Sequence, residues 1–155
     1  MITPQQVRDL LDYDPQTGRL MRAQTGGTAG GLNGRGYTRT SLLGKAYVNS
    51  RLVWAYVHGR WPDGNIDHID GNKSNNRIEN LRDVSQQINC ENRQGANINN
   101  QAGYLGVSWS AQKQRWKATI SLNRVYRHLG FFKLPAEAHQ AYLKAKRDLH
   151  EGCTI

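Results

Sequence analysis

One stretch constrains this chain more than any other. From Asp67 to Leu81 it reads DHIDGNKSNNRIENL. An Asp-His pair ends a short extended segment, a Gly/Asn loop follows, and Asn80 opens a Leu-Arg-Asp-Val strand. Gly71 and the Asn residues suit the turn conformations that bulkier side chains resist. Ser85 to Arg93 then reads as a short helix, with Ser85 as N-cap and Asn89 about one turn in. The pattern predicts a strand–loop–strand–helix unit.

The flanks read as small elements. Thr3-Pro4-Gln5-Gln6 is a helix start with a capping box, and Val7, Leu10 and Leu11 supply one apolar stripe. Asp14 to Gly18 is a turn, and Gly18–Arg22 a short strand. Residues 24–36 are Gly-rich, but no Gly-Lys-Ser/Thr follows, so a flexible hairpin connection is expected rather than a phosphate loop. Tyr37–Leu43 and Lys45–Val48 read as a hairpin turning at Gly44-Lys45. Ser50–His58 reads as a helix ended by Gly59.

Residues 94–103 lack periodicity and read as a linker. Beyond them, Tyr104–Ser110, Trp116–Leu122 and Val125–Phe132 read as three strands. The middle one alternates, with Trp116, Ala118, Ile120 and Leu122 on one face. A helix starting at Leu134-Pro135 carries Ala138, Ala141, Tyr142, Ala145 and Leu149 as one stripe.

Charge separates these regions. The net charge of +9 divides into +4 over residues 1–66, −1 over 67–103 and +6 over 104–155. Basic ends around a neutral middle fit nucleic acid held by the flanks and processed at the centre. Mean hydropathy of −0.74 allows only a modest core. No apolar run is long enough to span a bilayer and no signal-peptide pattern opens the chain, so a cytoplasmic protein without membrane contact is expected. Cys90 and Cys153 have no metal-ligand spacing, which excludes a structural zinc of the ribbon type.

The central unit carries chemistry as well as shape. Phosphodiester cleavage uses a divalent cation on hard oxygen donors, with positions left for phosphate and water. Asp67 offers a carboxylate and Asn89 an amide oxygen. His68, with an ordinary pKa of about 6.5, suits a general base for the attacking water. Asn80 is expected to accept a bond from the other ring nitrogen and orient His68.

These residues together carry a resemblance. Residues 52–92, with IDHIDGNKSNNRIENLRDVSQQINCEN at their centre, resemble the HNH (ββα-metal) homing-type endonucleases of phages. The resemblance implies His68 and Asn80 as catalytic residues and Asp67 and Asn89 as ligands of one Mg²⁺ or Mn²⁺ ion. Many relatives carry His-Arg where this chain has Ser50-Arg51, and no role is carried onto Ser50. YDPQTGRLMR also resembles the N-terminal segment of those proteins. GYLGVSWSAQKQRWKATI, LGFF and AEAHQAY resemble the plant ethylene-response-factor (Apetala-type) DNA-binding domain, whose sheet contacts duplex DNA.

The resulting expectation is an α+β chain. An HNH ββα-metal unit with an N-terminal helix and hairpin fills 1–93 (core about 52–93), then the linker 94–103. A three-stranded antiparallel sheet packed on one helix fills 104–155. Double-stranded DNA is the expected partner, contacted by Arg77, Arg93, Arg115, Lys117, Thr119, Ser121, Arg124, Tyr126 and His128. The sheet face carries fewer Arg residues than the plant domains show, which implies phosphate contact more than base readout. A monomer is expected, with a dimer as the alternative, in the host cytoplasm if the chain is phage-encoded. The expected activity is metal-dependent DNA nicking. The rival readings are a non-catalytic DNA-binding regulator or recombination accessory and, more weakly, an RNA-binding protein.

Overall fold

Helix α1 spans Pro4–Leu10, and its capping box is formed. The Gln6 N–H donates to Thr3 Oγ1 at 3.1 Å and the Thr3 N–H to Gln6 Oε1 at 2.8 Å. Leu11 leaves the helix and begins strand β1 (Leu11–Asp14), yet stays fully buried. The computed structural model describes residues 2–97 and 99–155. These residues form two units, Met1–Asn89 and Cys90–Ile155.

In the first unit β1 pairs antiparallel with β2 (Arg19–Arg22). The Gly-rich segment is more ordered than its composition suggests. It supplies β3 (Gly31–Leu32), which pairs with β4 (Thr38–Leu42), and β4 pairs with β5 (Lys45–Val48). The β4–β5 turn falls at Leu43-Gly44, both with positive φ, one residue before the expected position. Buried Asn49 pins the Gly-rich segment: its Nδ2 donates to Ala29 O at 3.0 Å, and its Oδ1 accepts from Thr40 Oγ1 at 2.7 Å.

Helix α2 (Asn49–His58) ends on Gly59 in the left-handed region. Its Leu52 and Val53 join Val7, Leu11, Leu20, Leu42 and Leu81 in one core. Arg51 on α2 donates to Gly64 O at 2.9 Å, and Asp83 accepts from the Asp63 and Gly64 N–H groups at 2.7 and 2.8 Å. These bonds aim the chain into β6 (Asn65–His68), which pairs antiparallel with β7 (Leu81–Val84). Helix α3 (Gln86–Glu91) follows, capped by Ser85 Oγ, which accepts from the Ile88 N–H at 3.3 Å. The strand–loop–strand–helix unit is therefore present.

The division between units falls inside α3. Residues expected as a free linker are bonded within the second unit. Gln94 Nε2 donates to Thr154 Oγ1 at 3.1 Å and Asn100 Nδ2 to Tyr104 O at 2.8 Å, and Arg93, just before them, accepts from Lys146 Nζ at 2.5 Å. Asn and Gln side chains stand in for a regular backbone ladder here, which periodicity cannot reveal.

The second unit holds β8 (Val107–Ser110), β9 (Arg115–Leu122) and β10 (Val125–Phe132), in the order β10-β9-β8. Helix α4 (Pro135–Leu149) covers one face, burying Val107, Ala118, Ile120, Ala138 and Tyr142. Gly106 admits the Tyr142 ring: with φ of +76°, a Cβ there would lie 2.0 Å from the ring. Among the described residues, no helix is long and apolar enough to cross a membrane.

Candidate active site

The register of β6 and β7 sets Asp67 opposite Arg82 and His68 opposite Leu81. Directly opposed residues share a face, so Arg82 reaches Asp67 across the ladder. Its Nε and Nη2 both donate to Asp67 Oδ2 at 2.8 Å. Asp67 is 6% exposed. A carboxylate has about four lone-pair directions, so this pairing leaves Asp67 chemically able to ligate a cation.

His68 is the last residue of β6 and is 4% exposed. Its Nε2 lies 3.1 Å from Asn76 Oδ1, and its ring centroid lies 6.1 Å from that of Tyr37. Burial lowers its pKa below the ordinary value. The Asn76 bond and the Asp70 and Asp67 carboxylates oppose that shift without reversing it. The ring is thus held neutral near pH 7, the state a general base requires.

Asn80 is not the partner of that His68 nitrogen. Its Oδ1 accepts from the Asp70 N–H at 3.0 Å, and its Nδ2 donates to Asp70 Oδ1 and to Asn75 O, both at 2.9 Å. The Ile69 N–H donates to Asn80 O at 2.9 Å. Asn80 therefore closes the 70–80 loop on itself, because its amide is committed to the start of that loop at Asp70 and to its middle at Asn75. Asp70 is a second organiser: it also accepts from the Asn72 N–H and Asn75 Nδ2, each at 2.8 Å. Burial opposes its charge, but the bonds from Asn75, Asn72 and Asn80 outweigh burial and lower its pKa. The sequence reading missed Asn76. Its one signal was an Asn beside a turn, which describes its neighbours equally well.

Asn89 is half-buried on α3, where its N–H donates to Ser85 O at 3.1 Å. The helix is tied to β6 by Asn65 Nδ2, which donates to Gln86 Oε1 at 2.9 Å. Among the described residues no three His, Cys, Asp or Glu side chains converge as a metal group. Asp67 and Asn89 offer one carboxylate and one amide oxygen. That donor set fits a hard cation that keeps most of its positions for water and phosphate, and does not fit zinc.

The residues expected to touch DNA fall in both units. Arg77 is exposed beside the loop, with its Nε donating to Gln16 O at 2.6 Å. Arg93 is exposed and bonded to Gly95 O and to Asn97. The β-ladder puts Arg115, Lys117, Thr119 and Ser121 of β9 on the sheet face opposite α4, and Tyr126 and His128 of β10 beside them. Arg124 sits in the β9–β10 turn with φ of +66°. Phe131 also lies on that open face, its ring 4.5 Å from that of His128.

Comparison with known proteins agrees with the geometry of the central unit. Residues 47–100 match the model of the HNH endonuclease family. Over 70 residues it is 37% identical to Protein 3.8 of Escherichia phage T7, covering 44% of this chain and 57% of that protein. Over 82 residues it is 40% identical to DNA endonuclease I-HmuI of Bacillus phage SP01, covering 50% of this chain and 44% of that protein. The chain thus spans about half the length of the curated relatives it matches. A solved structure described as DNA binding and cleavage by the HNH homing endonuclease I-HmuI aligns at 28% identity with a TM-score of 0.47. That alignment covers 92% of this chain and 88% of that one.

Proposed function

We propose that this protein is a metal-dependent DNA endonuclease that hydrolyses phosphodiester bonds and introduces nicks. The carrying observation is the buried His68, neutral near pH 7, next to the Asp67 carboxylate on one strand of an HNH domain. His68 takes the proton of the attacking water. Asp67 and Asn89 hold a divalent cation, Mg²⁺ or Mn²⁺, which supplies Lewis-acid stabilisation of the developing phosphate charge and the leaving 3′-oxygen. Asn80 fixes the loop between β6 and β7, so that the strand ends stay in register while DNA binds. The open face of the β8–β10 sheet, carrying Arg115, Lys117, Thr119, Ser121, Tyr126 and His128, tethers the enzyme to duplex DNA through phosphates.

Nicking of supercoiled plasmid with Mg²⁺ or Mn²⁺ tests this reading. His68→Ala is expected to slow nicking by about 10²- to 10⁴-fold, the contribution of a positioned general base. DNA binding should be retained. Equal nicking by wild type and His68→Ala would leave the HNH unit as a scaffold and the protein as a DNA-binding accessory.

A further inference from the structure

A hydrogen bond to the His68 ring comes from a residue outside the expected set. Asn76 is 4% exposed, and its amide is bonded on both sides. Its Nδ2 donates to Thr38 Oγ1 at 2.9 Å and lies 3.5 Å from Ser74 O; its Oδ1 faces His68 Nε2 at 3.1 Å. A backbone carbonyl only accepts, so the Ser74 contact identifies the nitrogen side of the amide. The oxygen side therefore meets the ring, and the neutral ring must carry its proton on Nε2 to bond it. In the neutral ring the lone pair is then on Nδ1.

The backbone of Asn76 is gripped as closely as its side chain. The Tyr13 hydroxyl of β1 donates to Asn76 O at 3.3 Å and accepts from the Ile78 N–H at 2.9 Å. Gly18, in the β1–β2 turn with φ of +72°, lies against the same peptide. A Cβ at Gly18 would sit 2.4 Å from Arg77 N and 2.6 Å from Asn76 C. Arg77 Nε donates to Gln16 O of that turn at 2.6 Å. Thr38 arrives from β4, so two separate N-terminal hairpins converge on one residue of the 70–80 loop.

We propose that Asn76 is the positioning residue that fixes the tautomer and orientation of His68, and that Thr38, Tyr13 and Gly18 hold Asn76 for that task. The proposal rests on the reading of His68 as the general base. It gives the N-terminal hairpins a part in the chemistry beyond packing: they set the acceptor that decides which ring nitrogen is basic. Asn80 orders the loop that carries Asn76.

The test uses the full-length chain. Nitrogen-15 spectra of the His68 ring, taken without metal, report the tautomer, and plasmid nicking with Mg²⁺ gives kcat and KM. Asn76→Leu keeps the volume and removes the acceptor. It is expected to erode the Nε2–H signature and to lower kcat about 10- to 100-fold, the usual cost of losing a partner that orients an active-site histidine, while KM changes less than about twofold. Asn76→Asp restores the acceptor and is expected to recover the Nε2–H signature and most of the rate. Thr38→Val loosens the amide without touching His68 and should give a smaller loss of the same kind, so it carries the test if Asn76→Leu does not fold. An unchanged tautomer and kcat in Asn76→Leu, or in Thr38→Val where that variant stands in, would overturn the proposal. Wild-type nicking by His68→Ala would instead remove the base reading, while the tautomer spectra would still decide whether Asn76 holds the ring.

Discussion

The loop between β6 and β7 and the open face of the β8–β10 sheet are built on opposite plans. In the loop, Asp70, Asn75 and Asn80 satisfy one another, and Asp67, His68, Asn76 and Asn80 are buried. On the sheet face, Ser108, Ser121, Tyr126 and His128 are exposed. On the proposed function, the first arrangement would order a small number of groups before substrate arrives, as chemistry at a phosphodiester requires. The second would leave charged and polar groups in water until phosphate displaces it, as loose binding to a backbone requires. The contrast predicts that changes in the loop alter rate and stability, while changes on the face alter affinity and salt dependence.

The largest expected effect on stability belongs to Asn80. Asn80→Ala leaves the Asp70 N–H, Asp70 Oδ1 and Asn75 O without their partner at one position. Losing this set should cost about 2–3 kcal/mol, read as a fall in the denaturation midpoint of the first unit. A change below about 0.5 kcal/mol would show that the loop is not held from Asn80.

Acid should act on the same loop. The Asp70 carboxyl is lowered in the folded state because bonds from Asn75, Asn72 and Asn80 outweigh its burial. Asp14 is lowered by the Thr17 hydroxyl and the Gln16 N–H in the β1–β2 turn. A depressed carboxyl contributes stability above its unfolded value of about 3.9, and that contribution is lost as pH falls through the folded value. Thermal melts in metal-free buffer should therefore drop for the first unit below about pH 4, with a shallower drop in Asp70→Asn. In the second unit the shifted groups are Tyr142, raised by burial, and Lys146, lowered by burial, and neither is a carboxyl. An equally steep acid response in Asp70→Asn would break this part of the comparison.

What was legible in the sequence follows the range of the forces involved. The α1 capping box is local, and it formed as read. The alternation of β9 is set by strand geometry, and it sorts Trp116, Ala118 and Ile120 from Lys117, Thr119 and Ser121 as expected. Phe131 was lost because a register shift between His128 and Gly130 changes the phase of β10, which puts residue 131 rather than 130 on the open face. The Asp67–Arg82 pair and the His68–Asn76 contact depend on strand register and loop closure. The Asn76–Thr38 bond spans 38 positions, and nothing local marks either end. The sequence thus singled out Asp67 and His68, but not Asn76, whose amide oxygen lies 3.1 Å from the His68 ring.

On the sheet face the expected effects are smaller and of another kind. Replacing Arg115, Lys117 and Arg124 together with Ala removes up to three phosphate contacts. The slope of log affinity against log salt should then fall by about 2 to 3. Nicking should lose affinity for DNA and keep its rate at saturation, because none of these residues belongs to the 67–80 network. A lower saturated rate with an unchanged salt slope would mean that the face takes part in the chemistry.

The smallest effect separates the two plans most cleanly. Tyr126 is 80% exposed on β10. Tyr126→Ser removes aromatic surface that the fold barely uses, so stability should move by less than about 0.5 kcal/mol. DNA binding should still weaken, though less than in the triple variant, because the ring contributes contact but no charge. Asn80→Ala should show the reverse, a large loss of stability with little change in the affinity of the protein that remains folded. If Tyr126→Ser destabilises the second unit and leaves binding intact, the open face is a packing surface. The tether must then be sought among the exposed arginines beside the β6–β7 loop, starting with Arg77.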